Sequence, residues 1–344
     1  MLPMTSIQPI RAWHITSGAG IEGLTLREHD PVPAALAPGE VHVAVHAVSL
    51  SFRELLVARG RYVLPVKPDV VAVSDGAGEV VAVGPGVRRF RPGDRVAATL
   101  FPHWLDGPLT PESLPQLGGT LDGMLAEEVV LPERALVHAP ANLTHAEAAT
   151  LPCAAVTAWN ALTGDGRGVH CGQTVVATGS GGVSLFAVQL GRLLGLRVLA
   201  TTGSPAKADR LRALGADAVL DRRADWPAEV RRLTAGRGAD RVIDTAGALP
   251  EALGCLTLDG HVALVGAVSG DWPALDPRLI FAKAATVRAV AVGTRTQFEA
   301  LNAFITAHDL HPPIARTFPF HQAREAYHHY ESADPFGKVV ITVR

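Results

Sequence analysis

A glycine-rich turn is the part of this chain whose residue types and spacing are best suited to chemistry. The turn, Gly179-Ser180-Gly181-Gly182-Val183-Ser184, follows the β-branched run Thr174–Thr178. An apolar face at helical spacing comes next, formed by Val183, Phe186, Ala187, Leu190 and Leu194. A strand, a turn without bulky side chains and a helix start offer backbone amides to an anion, which predicts a site for a dinucleotide pyrophosphate. Glycine clusters also form plain tight turns, so the neighbouring segments are needed to distinguish a dinucleotide site from such a turn.

The segment after the next predicted strand indicates which dinucleotide fits. That strand ends in Thr202-Gly203-Ser204, with no acid to accept hydrogen bonds from a ribose 2′-hydroxyl. Lys207 follows, and Arg222 comes after the third predicted strand, so hydroxyls and cations favour a 2′-phosphate. The alternative is that Lys207, Arg210 and Arg212 only face solvent on a helix. The pattern favours NADPH over NADH.

Two hydrophobic periodicities indicate the elements that must position these residues. Up to about residue 150, period-two patterns such as Val41, Val43 and Val45 predict strands of a barrel or sandwich. The proline- and glycine-rich stretch Phe101–Gly123 within that part is predicted to be a long surface excursion. After residue 150, helical patterns alternate with strand candidates and predict a doubly wound parallel sheet. The candidates are Thr174–Ala177, Arg197–Thr201, Ala218–Asp221, Arg241–Asp244, Val262–Val265 and Thr286–Val292.

Composition excludes several classes of protein. With 344 residues, 48% of them hydrophobic and 19% charged, we expect about two domains with sizeable cores. A net charge of −2 gives no electrostatic case for nucleic acid or an anionic membrane, and no apolar run is long enough to span a bilayer. Cys153, Cys171 and Cys255 are too scattered for a disulfide framework, and Met1–Arg11 does not have the pattern of a secretion signal. We therefore expect a cytoplasmic protein.

Landmarks along nearly the whole chain resemble the medium-chain dehydrogenase/reductase superfamily. They are the glycine turn together with Ser74-Asp75-Gly76-Ala77-Gly78-Glu79-Val80, Gly93-Asp94-Arg95-Val96, Ala148-Ala149-Thr150-Leu151-Pro152, Leu214-Gly215-Ala216-Asp217 and Gly337-Lys338-Val339-Val340. The resemblance implies an α/β fold: a GroES-like, β-rich catalytic domain at 1–153 and 293–344, and a Rossmann NADP-binding domain at 154–292. It also implies a cleft at their junction and a homodimer, or else a tetramer, in which Rossmann sheets are joined through the last strand, Thr286–Val292. It adds Thr157, Gly266, Ala267, Val292 and Lys338 to the expected cofactor contacts.

The same resemblance bears on metal binding. Superfamily members with a catalytic zinc use cysteine, histidine and carboxylate ligands, and the matching positions here are Ser51, Ser74 and Cys153. Serine hydroxyls are poor ligands for Zn²⁺. The four closely spaced cysteines of the family's structural zinc lobe have no counterpart in the sequence. The histidine pairs have no third partner nearby in sequence, so we expect no metal.

Without a metal, side chains must supply the proton. The chain resembles the zinc-independent quinone oxidoreductase and enoyl reductase branch, which implies hydride transfer to a quinone, an enone or another conjugated carbonyl. Gly60-Arg61-Tyr62 matches a pattern whose tyrosine is the proposed proton donor, although Tyr62 fits equally well as an amphipathic ring. Ser51 replaces an amide but can still donate a hydrogen bond, and His103 is a further candidate acid. Arg53 and Glu54 are interpreted as a structural ion pair.

Two other functions stay open. An NAD(P)-dependent alcohol dehydrogenase or ketoreductase has similar relatives, but it needs another way to polarise the carbonyl oxygen. A non-catalytic NADPH-binding protein would retain only the fold. The sequence does not identify the substrate.

Overall fold

The computed structural model describes residues 9–266 and 274–344, so the expected cofactor residue Ala267 lies outside the described residues. The chain divides into two compact units. One comprises Met1–Cys153 and Thr294–Arg344, and the other comprises Ala154–Gly293. No helix in the described part of the chain is long and apolar enough to cross a membrane.

The first unit begins with strands and two short helices. These are β1 (Ile10–Thr16), β2 (Leu24–His29), β3 (Glu40–Leu50), α1 (Phe52–Ala58), β4 (Asp69–Val71), β5 (Asp75–Val83), β6 (Arg95–Ala98), β7 (Glu128–Pro132), β8 (Leu136–His138) and α2 (His145–Ala148). The alternation predicted for β3 is present, because Val41, Val43 and Val45 are all fully buried. Short 3₁₀ turns occur at Ile21–Gly23, Pro111–Ser113 and Glu133–Ala135, and a π-helical turn at Leu151–Ala155.

The second unit alternates helices and strands. Its elements are α3 (Val156–Thr163), β9 (Thr174–Ala177), α4 (Gly182–Leu193), β10 (Arg197–Thr202), α5 (Pro205–Ala213), β11 (Ala218–Asp221), α6 (Trp226–Leu233), β12 (Ala239–Asp244), α7 (Leu249–Gly254), β13 (Leu256–Leu264), α8 (Pro277–Lys283) and β14 (Thr286–Ala289). Gly215, with φ +116°, follows α5 in the backbone region that glycine adopts most readily.

The chain then returns to the first unit. The elements are α9 (Arg295–His308), β15 (Ile314–Pro319), α10 (Ala323–Ser332) and β16 (Lys338–Thr342), with a 3₁₀ turn at Phe320–Gln322. Thr294 begins α9 with a capping box, since its hydroxyl accepts from the Gln297 amide while the Gln297 side chain accepts from the Thr294 amide.

The sheets of the first unit are mostly antiparallel. The larger sheet runs in the order β15-β16-β3-β5-β6-β8, with β7 also pairing with β3, and the smaller sheet runs β2-β1-β4. Strand β16 pairs with β3 over Val339–Thr342, so the end of the chain lies beside residues 47–50. This pairing brings two distant parts of the sequence to one place.

The sheet of the second unit is parallel and runs in the order β11-β10-β9-β12-β13-β14. This is the Rossmann order 3-2-1-4-5-6, in which the chain reverses direction across the sheet between the first and fourth strands. A core between β9 and the helices includes Val176, Leu199, Val230 and Val262. The predicted fold class, a Rossmann sheet with a β-rich GroES-like unit, is confirmed.

Three local expectations are corrected. The strand predicted to reach Val292 ends at Ala289, because Val292 has φ +60° and cannot continue a strand. Strand β13 begins at Leu256, earlier than the predicted Val262, and accommodates Asp259 at φ +57° beside an irregularity in its pairing with β12. The stretch Phe101–Gly123 is not simply a surface excursion, since Phe101, Trp104 and Leu117 are buried in it.

Candidate functional site

The glycine turn connects β9 to α4 and continues into the first turn of that helix. Gly179 has φ +79°, which favours glycine, and Gly181 is the N-cap of α4. The first-turn amides of a helix have no intrahelical acceptors, and the helix dipole adds positive potential there. A Cβ atom placed on Gly181 would meet no atom within 4 Å, so this position leaves room for a ligand.

Hydroxyl groups border the turn on the side of β10. The Gly179 amide donates to Thr201 Oγ1 at 3.0 Å, and Ser180 Oγ lies 3.4 Å from Thr202 Oγ1. Ser184 stands where a third glycine is common; it is fully buried, and its hydroxyl donates to the Thr178 carbonyl at 2.7 Å. The Ser184 side chain therefore joins α4 to the residue that follows β9. Exposed amides and small hydroxyls fit the pyrophosphate of a dinucleotide.

The end of β10 carries the residues expected at a 2′-phosphate. Arg222 lies against it, since its Nε atom is 2.8 Å from where a Cβ of Gly203 would be. Thr202 and Ser204 line the adjoining groove. Lys207 is 9% exposed on α5, so the structure presents the Arg222 guanidinium more openly than the Lys207 ammonium.

Other expected cofactor residues lie in the same unit. Gly266 follows β13, and a Cβ there would also meet nothing within 4 Å. Val292 has φ +60°, and its carbonyl accepts from Asn160 Nδ2 at 2.6 Å. Thr157 is buried on α3. Because carboxyl ends of parallel strands meet at one edge, Gly179, Thr202 and Gly266 share an edge of the sheet.

The first unit contains a buried polar cluster where β3, β5 and β16 meet. Lys338 Nζ donates to Ser51 Oγ at 2.7 Å and to the Leu50 carbonyl at 2.6 Å. Ser51 Oγ donates to Asp75 Oδ2 at 3.2 Å, and Lys338 Nζ lies 3.7 Å from the same carboxylate. Burial raises the pKa of Asp75 to about 6, although the Lys338 charge opposes the shift. Lysine, serine and aspartate form a hydrogen-bonded row.

An ion pair adjoins this row. Arg53 Nη1 lies 3.0 Å from Glu54 Oε2, so the pair that the sequence predicted is present, and both of its side chains are buried. Ser74 Oγ is 2.9 Å from both Glu54 Oε1 and Asp75 Oδ1. The Ser74 hydroxyl has one proton, so it can donate to only one of these carboxylates at a time. It can make hydrogen bonds to both groups only if one of them is protonated and donates to Ser74. Ser74 thus connects the ion pair with Asp75.

Of the three expected catalytic residues, Ser51 lies in the buried polar cluster and Tyr62 beside it, whereas His103 is not joined to it within the described part of the chain. Tyr62 lies after α1, half-buried, with its ring centre 4.8 Å from the Arg53 guanidinium carbon. Arg53 thus connects Tyr62 with the buried polar cluster that contains Ser51. His103 is exposed on its loop, where partial burial and the Arg134 charge lower its pKa. In the described residues, no hydrogen bond or ion pair joins His103 to Ser51, Asp75 or Lys338.

Sequence reasoning missed Asp75 as part of the cluster, and it missed the unusual backbone of Val73, the residue before Ser74. Asp75 follows Ser74 in one of the landmarks, and a buried lysine elsewhere in the unit would need such a counter-charge. Val73 has φ +67°, which is an outlier for a β-branched residue, and its carbonyl accepts from the Met124 amide at 2.7 Å. Cys153 is near the same charges, and its burial raises the pKa of the thiol to about 12. It is therefore a neutral thiol near pH 7.

Family comparisons agree with this architecture. Residues 37–141 match the alcohol dehydrogenase GroES-like domain, and residues 182–307 match the zinc-binding dehydrogenase family. A zinc-type alcohol dehydrogenase-like protein of Schizosaccharomyces pombe is 39% identical over 94% of this chain and 96% of its own length. The chain also matches 6% of the length of a Streptomyces halstedii polyketide synthase, at 32% identity.

Solved structures show the same relationship. A putative alcohol dehydrogenase from Sinorhizobium meliloti is 38% identical, with a TM-score of 0.89 over 98% of this chain and 99% of that one. Two mycobacterial structures, one of a quinone oxidoreductase and one of a protein complexed with NADPH, are each 27% identical. Each has a TM-score of 0.79 over 97% of this chain and 100% of the other. This protein belongs to the medium-chain dehydrogenase/reductase superfamily and is an oxidoreductase of that family.

Proposed function

We propose that this protein is a zinc-independent, NADPH-dependent oxidoreductase that reduces a quinone, an enone or another conjugated carbonyl. The observation that carries the proposal is the row formed by Lys338, Ser51 and Asp75. Ser51 and Ser74 stand where zinc-dependent relatives place metal ligands, and neutral hydroxyls are poor partners for Zn²⁺. The nearby carboxylates of Glu54 and Asp75 already face Arg53 and Lys338. A dication is not needed to balance their charge.

Residues of the second unit would hold the dinucleotide. The amides of Gly182 and Val183, at the start of α4, suit its pyrophosphate, while Thr202, Ser204 and Arg222 suit a 2′-phosphate. When bound, NADPH supplies the hydride. The absence of an acid at the end of β10 supports NADPH, because a carboxylate there would repel the extra phosphate.

Residues of the first unit would bind the substrate oxygen and donate the proton. Ser51 Oγ accepts from Lys338, which leaves its own proton free to turn from Asp75 towards a substrate oxygen. Tyr62 would donate the proton that completes the reduction. The Arg53 guanidinium beside its ring stabilises the negative charge that develops on the phenol oxygen. Lys338 is thus a positioning residue for Ser51.

The test follows NADPH oxidation after the protein has been treated with a chelator and dialysed. An enone, a quinone and a saturated ketone are compared at equal concentration. We expect turnover of the enone or the quinone to survive chelation. Tyr62→Phe should lower that rate by about 100-fold or more, because a general acid contributes 10² to 10⁴. Its dissociation constant for NADPH and its melting temperature should stay unchanged, which separates lost chemistry from lost folding.

The alternatives predict other results. Activity lost on chelation and restored by Zn²⁺, with turnover of the saturated ketone only, would favour an alcohol dehydrogenase, as the descriptions of the Schizosaccharomyces pombe and Sinorhizobium meliloti relatives suggest. Tight NADPH binding without turnover of any substrate would favour a non-catalytic protein. An unchanged rate in Tyr62→Phe would remove this tyrosine from the mechanism.

The assembly and the compartment are also proposals. Strand β14 is the last strand in the order of its sheet, and among the described strands it pairs with β13 alone, so its outer edge can accept a second copy. This supports a homodimer. Cys153, Cys171 and Cys255 form no disulfide, which supports residence in the reducing cytoplasm.

A further inference from the structure

A second group of ligand-type side chains uses none of the residues of the proposed active site. His46, Glu79 and His145 each offer one ligand atom, and these atoms all lie within 4.8 Å of one another. Across residues 9–266 and 274–344, no other three histidine, cysteine or acidic side chains meet this condition. The two imidazole rings are stacked, with centres 4.2 Å apart and an angle of 22° between their planes.

Regular elements hold all three residues in place. His46 is on β3 and Glu79 on the adjacent β5, and the pairing of these strands shifts register between Val45 and Ala47. Such a bulge re-aims the side chain it contains, here His46. His145 is the first residue of α2, whose N-cap Thr144 accepts from the Glu147 amide at 3.2 Å. The site is therefore supported by a sheet and a capped helix.

The segment before α2 is also tied to the sheet. Arg95, opposite Glu79 on β6, donates through its guanidinium to the Leu143 carbonyl. This bond holds the chain two residues before His145. Because α2 is short, the contact fixes the position of His145 relative to β5 and β6.

Both histidines are shielded from solvent in part, so their ring nitrogens are not simply hydrated surface groups. His145 Nδ1 is buried and has no hydrogen-bond partner among the described residues. An orphaned buried nitrogen in this position is costly unless a ligand satisfies it.

We propose that His46, Glu79 and His145 form a binding site for a divalent transition-metal ion, with Zn²⁺ as the representative. Two imidazoles and a carboxylate are a donor set that Zn²⁺ accepts, with water completing the tetrahedron. The carboxylate faces Arg95, and the charges of Arg95 and Arg344 act on His46, so charge alone would not attract a dication. Ions that bond strongly to imidazole are favoured over Mg²⁺ and Ca²⁺, which prefer oxygen. The ion would join α2 to the sheet.

The test is calorimetric titration of Zn²⁺ into the chelated, full-length protein. All samples carry Cys171→Ser, because Cys171 is an exposed thiol that could bind zinc by itself. We expect one Zn²⁺ per chain and a higher melting temperature with the ion, since binding to the folded state stabilises it. His46→Gln and Glu79→Gln should each weaken binding by at least about 10-fold, the lower limit for loss of even an outer-sphere partner.

His42→Gln is the matched control. His42 lies on the same strand and contacts Glu128 at 2.8 Å, but in the part of the chain that the structure describes it does not belong to a group of three ligand-type side chains. Binding in this variant should equal that of the parent protein. Glu79 is exposed, so Glu79→Gln keeps the test valid even if His46→Gln folds poorly. Enone or quinone turnover by Glu79→Gln reports separately on the proposed function.

Several outcomes would overturn the site. They are the absence of saturable Zn²⁺ binding, equal affinity in Glu79→Gln, an equal loss in His42→Gln, and Mg²⁺ binding as tightly as Zn²⁺. Loss of binding confined to His46→Gln and Glu79→Gln would support it.

Discussion

Asp75 carries a buried negative charge whose surroundings determine how the proposed active site responds to pH. Its carboxylate is fully buried, and it accepts from Ser51 while Lys338 lies 3.7 Å away. Burial outweighs these contacts and raises its pKa to about 6. Near neutrality, the folded protein therefore holds an ionised carboxylate at a cost in stability.

Folding stability should consequently depend on Asp75 between about pH 4 and pH 6. Because the pKa is higher in the folded than in the unfolded chain, the folded state binds more protons in this window, and stability falls as pH rises through it. Relative to Asp75→Asn, the parent protein should lose up to about 3 kcal/mol, from roughly two pKa units at 1.36 kcal/mol each. Urea denaturation of both proteins from pH 4 to pH 7 measures the difference. Parallel profiles would contradict the raised pKa.

Arg222 is the residue on which the proposed preference for NADPH depends most. Arg212, on α5, is the control, because it is also exposed but is bonded to Asp209 at 2.7 Å. We expect Arg222→Ala to raise KM for NADPH by about 10- to 100-fold, equivalent to about 1.5–3 kcal/mol of charge-assisted bonding. KM for NADH should change little, and Arg212→Ala should leave both KM values nearly unchanged. Equal effects of Arg222→Ala on the two cofactors would refute the assignment.

At the scale of elements, Gly181 has a structural role at the start of α4 and a proposed role in binding the dinucleotide. Gly181 caps the helix, and its Cβ direction is open. Serine is a preferred N-cap, so Gly181→Ser should leave the free energy of unfolding within about 1 kcal/mol of the parent value. The added hydroxymethyl group would occupy the space in front of the helix amides. We expect NADPH affinity to fall by about 10-fold or more, since charge-assisted bonds to the phosphate are lost.

Gly254→Ala is the control for this prediction. Gly254, in α7 of the same unit, also has an open Cβ direction, but it lies at the end of a helix that does not carry the glycine turn. Fluorescence titration with NADPH and thermal denaturation of both variants give the two readouts. Unchanged NADPH binding in Gly181→Ser would mean that the pyrophosphate does not lie at this helix start.

At the scale of the whole molecule, the free edge of β14 predicts the assembly. Analytical ultracentrifugation should give twice the chain mass of 36.1 kDa. Ala289→Lys places a charge at an exposed position of this edge, and charged residues, lysine above all, discourage strand-to-strand pairing. We expect this variant to sediment as a monomer. Ala333→Lys, an exposed position after α10, should stay dimeric, and a dimeric Ala289→Lys would exclude β14 as the interface.

Local chain patterns were sufficient for most of the second unit, although the predicted bounds of β13 and β14 were wrong. Strands β9 and β11 lie where the sequence predicted them, and the helix after the glycine turn begins at Gly182. These features depend on neighbours a few residues apart, because a glycine turn and a change of period act through the local backbone. The loop Phe101–Gly123 was misjudged for the opposite reason. Its proline and glycine content predicts turns but says nothing of Leu117, which is buried.

By itself, the sequence determined the two periodicities of the fold, the glycine turn between β9 and α4 and the absence of an acid at the end of β10. Only the tertiary structure decided which charges meet. Ser51 and Lys338 are 287 residues apart and touch because β16 pairs with β3. His46 and His145 likewise stack across nearly a hundred residues. Such contacts arise from strand pairing over long loops, whose partners are selected by the packing of the whole core and leave no mark in the local sequence.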